Sequence, residues 1–300
     1  MATRRTSTLR DYQERVLRVV VYIQDHLDEE LALERLARIA CFSPCHFHRI
    51  FQGMVGESLS DYVRRLRLER AATRLKLDSA SILSIALDAG YSSHEAFTRS
   101  FRSAFGLPPS RYRHSQRSSR ARNAPSGLHY EPRRRPREFR PVNTEPPMDV
   151  RIISLKPMRV AFLRHVGPYS EVGATWDKLL TYLGKEGFLG GDAMFIGICH
   201  DDPEVTPASK IRYDACVTVD PCFKPVGDIG VQSVAGGPYA VTTHFGPYHQ
   251  LGVTYTRLLG EWLPRSGRVL RDAPCFDVYL NDPQGTAPED LITDVYAPLR

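Results

Sequence analysis

Ser43-Pro44-Cys45-His46-Phe47-His48-Arg49-Ile50-Phe51 is the stretch on which the reading of this chain turns. Pro44 suits the first turn of a helix, where its missing N–H costs nothing, and Ser43 stands where it can cap that helix. Phe47, Ile50 and Phe51 recur at i, i+3 and i+4, which marks one buried face. Cys45, His48 and Arg49 fall on the other side, as side chains able to meet base edges. Upstream, Leu33, Leu36, Ala37 and Ala40 space a short preceding helix. A short helix, a tight turn and a helix with a polar outer face make a helix-turn-helix.

The pattern returns downstream. Ile82, Ile85, Ala86 and Ala89 mark a short helix, Gly90-Tyr91-Ser92 a turn, and His94 to Phe101 a second reading helix. Phe97, Phe101 and Phe105 form its buried face; His94, Glu95 and Arg99 form its outer one. The two units are offset by 49 or 50 positions. Between them Leu59, Tyr62, Val63, Leu66 and Leu75 predict a connecting helix over roughly 60–77, about 27 Å long. That length suits reading helices about 34 Å apart, one turn of B-DNA, so one chain can address two successive major grooves. Tyr12, Val16, Val19, Val20, Ile23 and Leu27 predict one further helix ahead of both units.

Residues 11–113 resemble the DNA-binding domain of the AraC/XylS family of bacterial transcription regulators. The resemblance is carried by Ser43 to Phe51, by Gly56-Glu57-Ser58-Leu59-Ser60-Asp61-Tyr62-Val63-Arg64-Arg65-Leu66-Arg67-Leu68, by Ile85-Ala86-Leu87-Asp88-Ala89-Gly90-Tyr91, and by Phe97 to Arg102 with Gly106 to Arg113. It implies double-stranded DNA as a partner and RNA polymerase as a further one. The implied base contacts are Cys45, His48, Arg49, His94, Glu95 and Arg99, and Arg suits guanine O6 and N7 well. The implied phosphate contacts are Ser43, Thr98 and Arg102. Two positions depart from the family pattern. Cys41 stands where the first turn often has Gly, and Ala32 where a capping Ser or Thr is common. A residue other than Gly held at positive φ costs about 1 kcal/mol or more, and a missing cap about 1 kcal/mol. The first unit is therefore expected to be the less rigid.

Charge is spread unevenly. Residues 1–113 carry a net +5, residues 114–147 again +5, and residues 148–300 a net −4. A basic front half is what contact with phosphates requires. Residues 114–147 are rich in Arg, Pro and Ser without an apolar period, and read as a flexible linker whose arginines add sequence-blind affinity for DNA. The six cysteines (41, 45, 199, 216, 222 and 275) form no CxxC pair. Cys41, Cys45, His46 and His48 match no zinc spacing. A reduced, cytoplasmic setting with no metal and no cofactor is expected. No apolar run approaches membrane-span length, and the first residues lead into an amphipathic helix rather than a signal-peptide core.

The rear half is itself duplicated. His165-Val166-Gly167-Pro168-Tyr169 recurs as His244-Phe245-Gly246-Pro247-Tyr248, and eight of sixteen positions are identical between 165–180 and 244–259. Asp202-Pro203 pairs with Asp282-Pro283, and Asp214 with Asp294. Each copy reads as strands, one amphipathic helix and further strands. The expected fold is thus multidomain: an all-α double helix-turn-helix domain over 1–113, the linker over 114–147, and an α+β domain over 148–300. The last consists of two pseudo-symmetric strand-helix-strand repeats, about 148–222 and 228–300, with a cleft between them.

Residues 148–300 resemble the gyrase-inhibitor-like (GyrI-like) effector-binding domain. The matching stretches are both His-x-Gly-Pro-Tyr segments, Lys210 to Val217, and Thr293 to Leu299. The resemblance implies an aromatic-lined cleft with one acidic residue on a late strand, accepting small and often cationic organic molecules. The residues it points to are Tyr169, Trp176, Tyr248, Tyr255 and Asp294, the last one methylene shorter than the family's usual Glu. Nothing near His165 or His244 supplies a nucleophile with a base, so no catalytic residue is assigned. Some relatives of this domain hydrolyse small strained electrophiles. A DNA-tethered hydrolase or a ligand-sequestering protein is therefore the alternative to a ligand-responsive transcription regulator.

Overall fold

The computed structural model describes residues 2–132, 134–144 and 146–300; the side chains of residues 2–6 and of Cys45 lie outside the described set. The chain divides into two compact units, Met1–Asn143 and Thr144–Arg300. No helix of the described residues is long and apolar enough to cross a membrane.

The first unit is helical. α1 (Ala2–Asp25) buries Tyr12, Val16, Val19, Val20 and Ile23, the stripe that the 3.6-residue period marks. α2 (Leu33–Ala40) and α3 (Pro44–Val55) meet at Cys41, which is left-handed with φ 55°. The N–H groups of Cys41 and Phe42 close on the carbonyls of Arg38 and Ala37. The strain expected at Cys41, on the order of 1 kcal/mol, is therefore present. Ala32 gives α2 no side-chain cap. Ser43 departs from the expected cap: its hydroxyl lies 2.9 Å from His46 Nδ1 instead of taking a backbone N–H.

The later helices are better capped. Ser58, Ser81 and Ser93 each accept the N–H three residues on at 3.1 Å, opening α4 (Leu59–Leu77), α5 (Ile82–Asp88) and α6 (His94–Phe105). Each such cap contributes about 1 kcal/mol. Phe97, Phe101 and Phe105 pack with Tyr112 of α7 (Pro109–Arg113) at ring separations of 4.6–5.4 Å.

Residues 114–143 correct the expectation of a free linker. Arg133 lies outside the described residues, but the rest of this segment is laid along the helices. Its anchor is Glu69 of α4, 1% exposed, whose carboxylate accepts the N–H groups of Ala121 and Tyr130 at 2.9 and 2.8 Å. Glu69 also lies 2.8 Å from His129 Nδ1 and 3.2 Å from Arg65 Nη1. Gln24 and Gln13 of α1 donate to the carbonyls of His129 and Phe139, and Val142 donates to the Met54 carbonyl in the last turn of α3. Ala121, Leu128 and Phe139 are buried. The segment has no apolar period because it borrows a surface from folded helices instead of building one.

The second unit is one antiparallel sheet in the order β1-β6-β8-β7-β3-β4-β2-β5. Its strands are β1 (Arg151–Leu155), β2 (Met158–Val166), β3 (Phe195–Cys199), β4 (Arg212–Thr218), β5 (Gly230–Val234), β6 (Gly237–Phe245), β7 (Phe276–Tyr279) and β8 (Ile292–Pro298). The repeats are not two separate layers. They join edge to edge where β3 pairs β7, and each contributes its first strand to the other: β1 pairs β6, and β5 pairs β2.

Strand alternation gives this sheet two faces. On one, Val160, Ile196, Ile198, Val241, Phe276, Val278 and Tyr296 form a core inside the curl of the sheet. The links at Lys156-Pro157 and Ala235-Gly236 cross so closely that a Cβ on Gly236 would sit 2.8 Å from Pro157 N and 2.9 Å from Leu155 O. On the other face lie α8 (Val172–Lys185) and α9 (Leu251–Thr256), and α9 runs on through a π turn at Arg257–Trp262 into α10 (Leu263–Ser266). Pro264 explains the wide turn: in an α-helix its ring would press on the Gly260 carbonyl.

Candidate functional site

The two helix-turn-helix units present unequal surfaces. On α6, His94, Glu95, Arg99 and Arg102 are exposed, while Phe97 and Phe101 are buried. Its own backbone N–H and the Ser93 hydroxyl hold the Glu95 carboxyl below its ordinary range. Thr98 departs from its expected phosphate contact: it lies one position from Phe97, and its hydroxyl is buried. On α3 the expected outward face is covered. His48 is 1% and Arg49 6% exposed, so burial runs right round the helix from His46 to Phe51, and neither residue offers its side chain to solvent. Ser43 is half-buried beside His46. The Cys45 side chain lies outside the described residues.

In the sheet unit, Asp294 does not join the aromatic residues. Thr293 and Val295 face the helices, so Asp294 between them points to the opposite face. There Arg151 Nη2 meets both of its oxygens at 3.0 Å, and the Thr243 hydroxyl donates to it. Its repeat mate Asp214 is matched likewise by Arg164 at 2.7 and 2.8 Å, by His200 at 2.9 Å and by Gln232 at 3.1 Å. Burial alone would raise the Asp214 carboxyl, but these hydrogen bonds outweigh it and hold it well below its ordinary range. Its stabilising effect is therefore complete above the unfolded carboxylate pKa of about 3.9 and lost as pH falls through the lower folded value. Both tryptophans, Trp176 and Trp262, lie in this unit, so tryptophan emission reads its unfolding alone. We expect Asp214→Asn to lower stability at neutral pH and to flatten the loss below about pH 4. An unchanged acid limb would mean other carboxylates set it.

The side chains that converge are on the helix face, at the seam between β3 and β7. Trp176 of α8 donates its indole N–H to the Tyr213 hydroxyl at 3.0 Å, which lies 2.9 Å from the Tyr279 hydroxyl. Both hydroxyls sit over Gly197, where a Cβ would come within 2.5 Å of each. Only Gly leaves room for them. The Tyr248 and Trp176 rings stand against Tyr279 at 5.1 and 5.8 Å, and the Tyr169 ring against Tyr213 at 5.9 Å. Burial pushes the Tyr213 and Tyr279 phenols well above their ordinary range.

Asp277 occupies the position across the ladder from Gly197 and is 1% exposed. Its carboxylate accepts from the Tyr255 hydroxyl at 2.7 Å and from the Cys199 thiol at 3.6 Å. Thr293, paired with Tyr279, is fully buried, and its hydroxyl has no partner among the described residues. A carboxylate, two phenols, an indole and a spare hydroxyl can take a ligand that offers both a flat apolar body and a donor or positive charge. Of the residues named from the sequence, Tyr169, Trp176, Tyr248 and Tyr255 lie around this seam; Tyr213, Tyr279 and Asp277, which lie there too, were not among them. The Gly197/Asp277 pairing breaks the repeat symmetry and was the available signal. The two motif histidines are structural: His165 bridges Thr175 and the Pro168 carbonyl, and His244 does the same for Thr254 and Pro247. Among the described residues, no group of His, Cys, Asp and Glu could hold a metal ion.

Known proteins resemble both units. The family model for the GyrI-like small molecule binding domain matches residues 148–300, and that for a helix-turn-helix domain matches residues 36–115. YbfP of Bacillus subtilis (strain 168), an uncharacterised HTH-type transcriptional regulator, is 40% identical over 102 residues. That match covers 34% of this chain and 35% of YbfP, so it spans about a third of the relative's length. The probable transcriptional regulator YgiV of Escherichia coli (strain K12) is 31% identical over 157 residues, 51% of this chain and 96% of YgiV. The crystal structure of the EcmrR C-terminal domain aligns with a TM-score of 0.43 at 19% identity, over 51% of this chain and 98% of that one. With its rear half matched from end to end and an AraC-type helix-turn-helix domain ahead of it, the chain belongs to the GyrI-like family.

Proposed function

We propose that this protein regulates transcription by reading duplex DNA with α3 and α6 and by binding a small organic effector at the β3/β7 seam. The observation that carries the effector reading is the seam itself. A buried carboxylate and a Trp176–Tyr213–Tyr279 hydrogen-bond chain converge where the repeats join, at the cost of a glycine that admits no side chain. A core built only for stability would fill this place with apolar groups, since buried polar networks cost more to satisfy. A lipophilic cation gains from each ring face about 0.5–2 kcal/mol and from the carboxylate besides. Saturable quenching of Trp176 by such cations, lost on Trp176→Phe, is the direct test; binding that survives intact would move the site elsewhere.

The seam is read as a binding site rather than a catalytic one. The Cys199 thiol is buried and committed as a donor to the Asp277 side chain, and a cysteine enclosed in this way is a structural residue rather than a reactive one. Steady turnover of a small electrophile, abolished by Asp277→Asn, would reverse this reading.

For DNA, the exposed Arg99 is the strongest candidate base reader. Arg99→Ala should cost roughly 1–3 kcal/mol at one base step and leave non-specific binding nearly unchanged. Equal losses on every sequence would make it a phosphate contact. Arg49 and His48 of α3 belong to the same reading.

A further inference from the structure

The polar hydrogens of the seam do not balance. Trp176 brings one N–H, and Tyr213 and Tyr279 bring one O–H each, since burial keeps both phenols protonated. Trp176 gives its proton to the Tyr213 oxygen at 3.0 Å, and the two phenol oxygens share one proton at 2.9 Å. These two bonds use two of the three protons. Among the described residues neither phenol makes a further hydrogen bond, so one O–H is left without an acceptor. Asp277 does not take it: its carboxylate accepts from Tyr255 and Cys199. A stranded donor forfeits the hydrogen bond that water would give it, so buried donors are ordinarily matched.

The order of the relay follows from Trp176. Its N–H polarises the Tyr213 hydroxyl and makes it the better donor, so the chain runs from Trp176 through Tyr213 to Tyr279. The spare proton then sits on Tyr279. Tyr213 is 2% exposed, whereas Tyr279 is half-buried, as are Tyr169, Trp176 and Tyr248. The relay therefore ends on a side chain that a molecule arriving from solvent meets, with the Tyr248 and Trp176 rings standing against it at 5.1 and 5.8 Å.

We infer that the seam selects effectors that carry a hydrogen-bond acceptor beside the cationic group, and that the Tyr279 hydroxyl reads this acceptor. This rests on the seam being the effector site. The chemical class is an aromatic ammonium with a carbonyl on its ring: an aryl ketone, amide or ester. Its flat ring lies against the aromatic side chains, its carbonyl oxygen takes the spare proton, and its charge is drawn towards Asp277. A cation without an acceptor drives water from the Tyr279 hydroxyl and offers nothing in return. A site built to hydrogen-bond one group rejects the analogue that lacks it for this reason.

The test uses the full chain and two tertiary ammonium probes, γ-dimethylaminobutyrophenone and its analogue with a methylene in place of the carbonyl. Affinity is read from quenching of tryptophan emission. The ketone should bind at least about fivefold more tightly. Its carbonyl stretch, isolated by an isotope label in infrared difference spectra, should move to lower frequency on binding. Tyr279→Phe draws the spare proton back to Tyr213, 2.9 Å away, and should bring the affinity ratio close to one. The methylene analogue should lose little affinity in that variant. A merely structural role for Tyr279 would weaken both probes together and leave the ratio unchanged, which overturns the inference. Should the variant not fold, the infrared shift decides, because an unshifted carbonyl in the unaltered protein overturns the inference by itself. Equal affinity for the two probes does the same and leaves the effector reading standing. Absence of saturable quenching by either probe would bring down the effector reading and this inference with it.

Discussion

Glu69→Ala is expected to destabilise the helical unit by on the order of 3–5 kcal/mol. The carboxylate is fully enclosed and serves four donors: Arg65, the backbone N–H groups of Ala121 and Tyr130, and His129. Removing it leaves a buried guanidinium with Glu57 as its remaining carboxylate, and two main-chain donors with nothing to meet. Each stranded buried donor costs about 1–3 kcal/mol. The strap over 114–143 should then detach, and trypsin should cut at its exposed arginines far sooner than in the unaltered chain. Urea unfolding followed by helix circular dichroism measures the first effect, and the time course of cleavage the second. In a fragment ending at Arg113 the same substitution should cost much less, because three of the four donors belong to the strap or to its fold. A loss below about 1 kcal/mol in the full chain, with cleavage unchanged, would mean that the strap is held elsewhere.

Asp277→Asn is expected to weaken a lipophilic cation by about 1.5–3 kcal/mol, roughly ten- to a hundredfold, and a neutral compound of the same shape hardly at all. Asp294→Asn is expected to leave both unaffected. The contrast follows from the two faces of one sheet. Asp277 shares its face with Trp176, Tyr213 and Tyr279, whereas Asp294 lies on the other face with Arg151 already on it. Titration of the two variants against a matched pair of cationic and neutral dyes decides the matter. Loss of cation binding in the Asp294 variant alone would relocate the site to the inner face of the curl.

Much of the architecture was legible from residue spacing. Phe47, Ile50 and Phe51, and again Phe97, Phe101 and Phe105, marked helix faces because a helix buries every third or fourth position whatever surrounds it. The repeated His-x-Gly-Pro-Tyr segments likewise gave away the duplication, since each builds the same local clamp at a helix start. The sequence by itself therefore determined two helix-turn-helix units and a doubled α+β domain. It did not determine which carboxylate joins the aromatic residues. Asp277 and Asp294 are both acidic residues on late strands, and the choice between them depends on which face of the sheet the helices cover. Nor did it show that β1 and β5 change partners between the repeats, or that a polar, arginine-rich stretch is laid down along the helices by Glu69. Strand partners and the docking of an aperiodic segment are settled by residues far apart in the chain, such as Glu69 and Tyr130 or Gly197 and Asp277. Only the tertiary structure brings these together, because local periodicity reports the burial of a position and not the identity of what covers it.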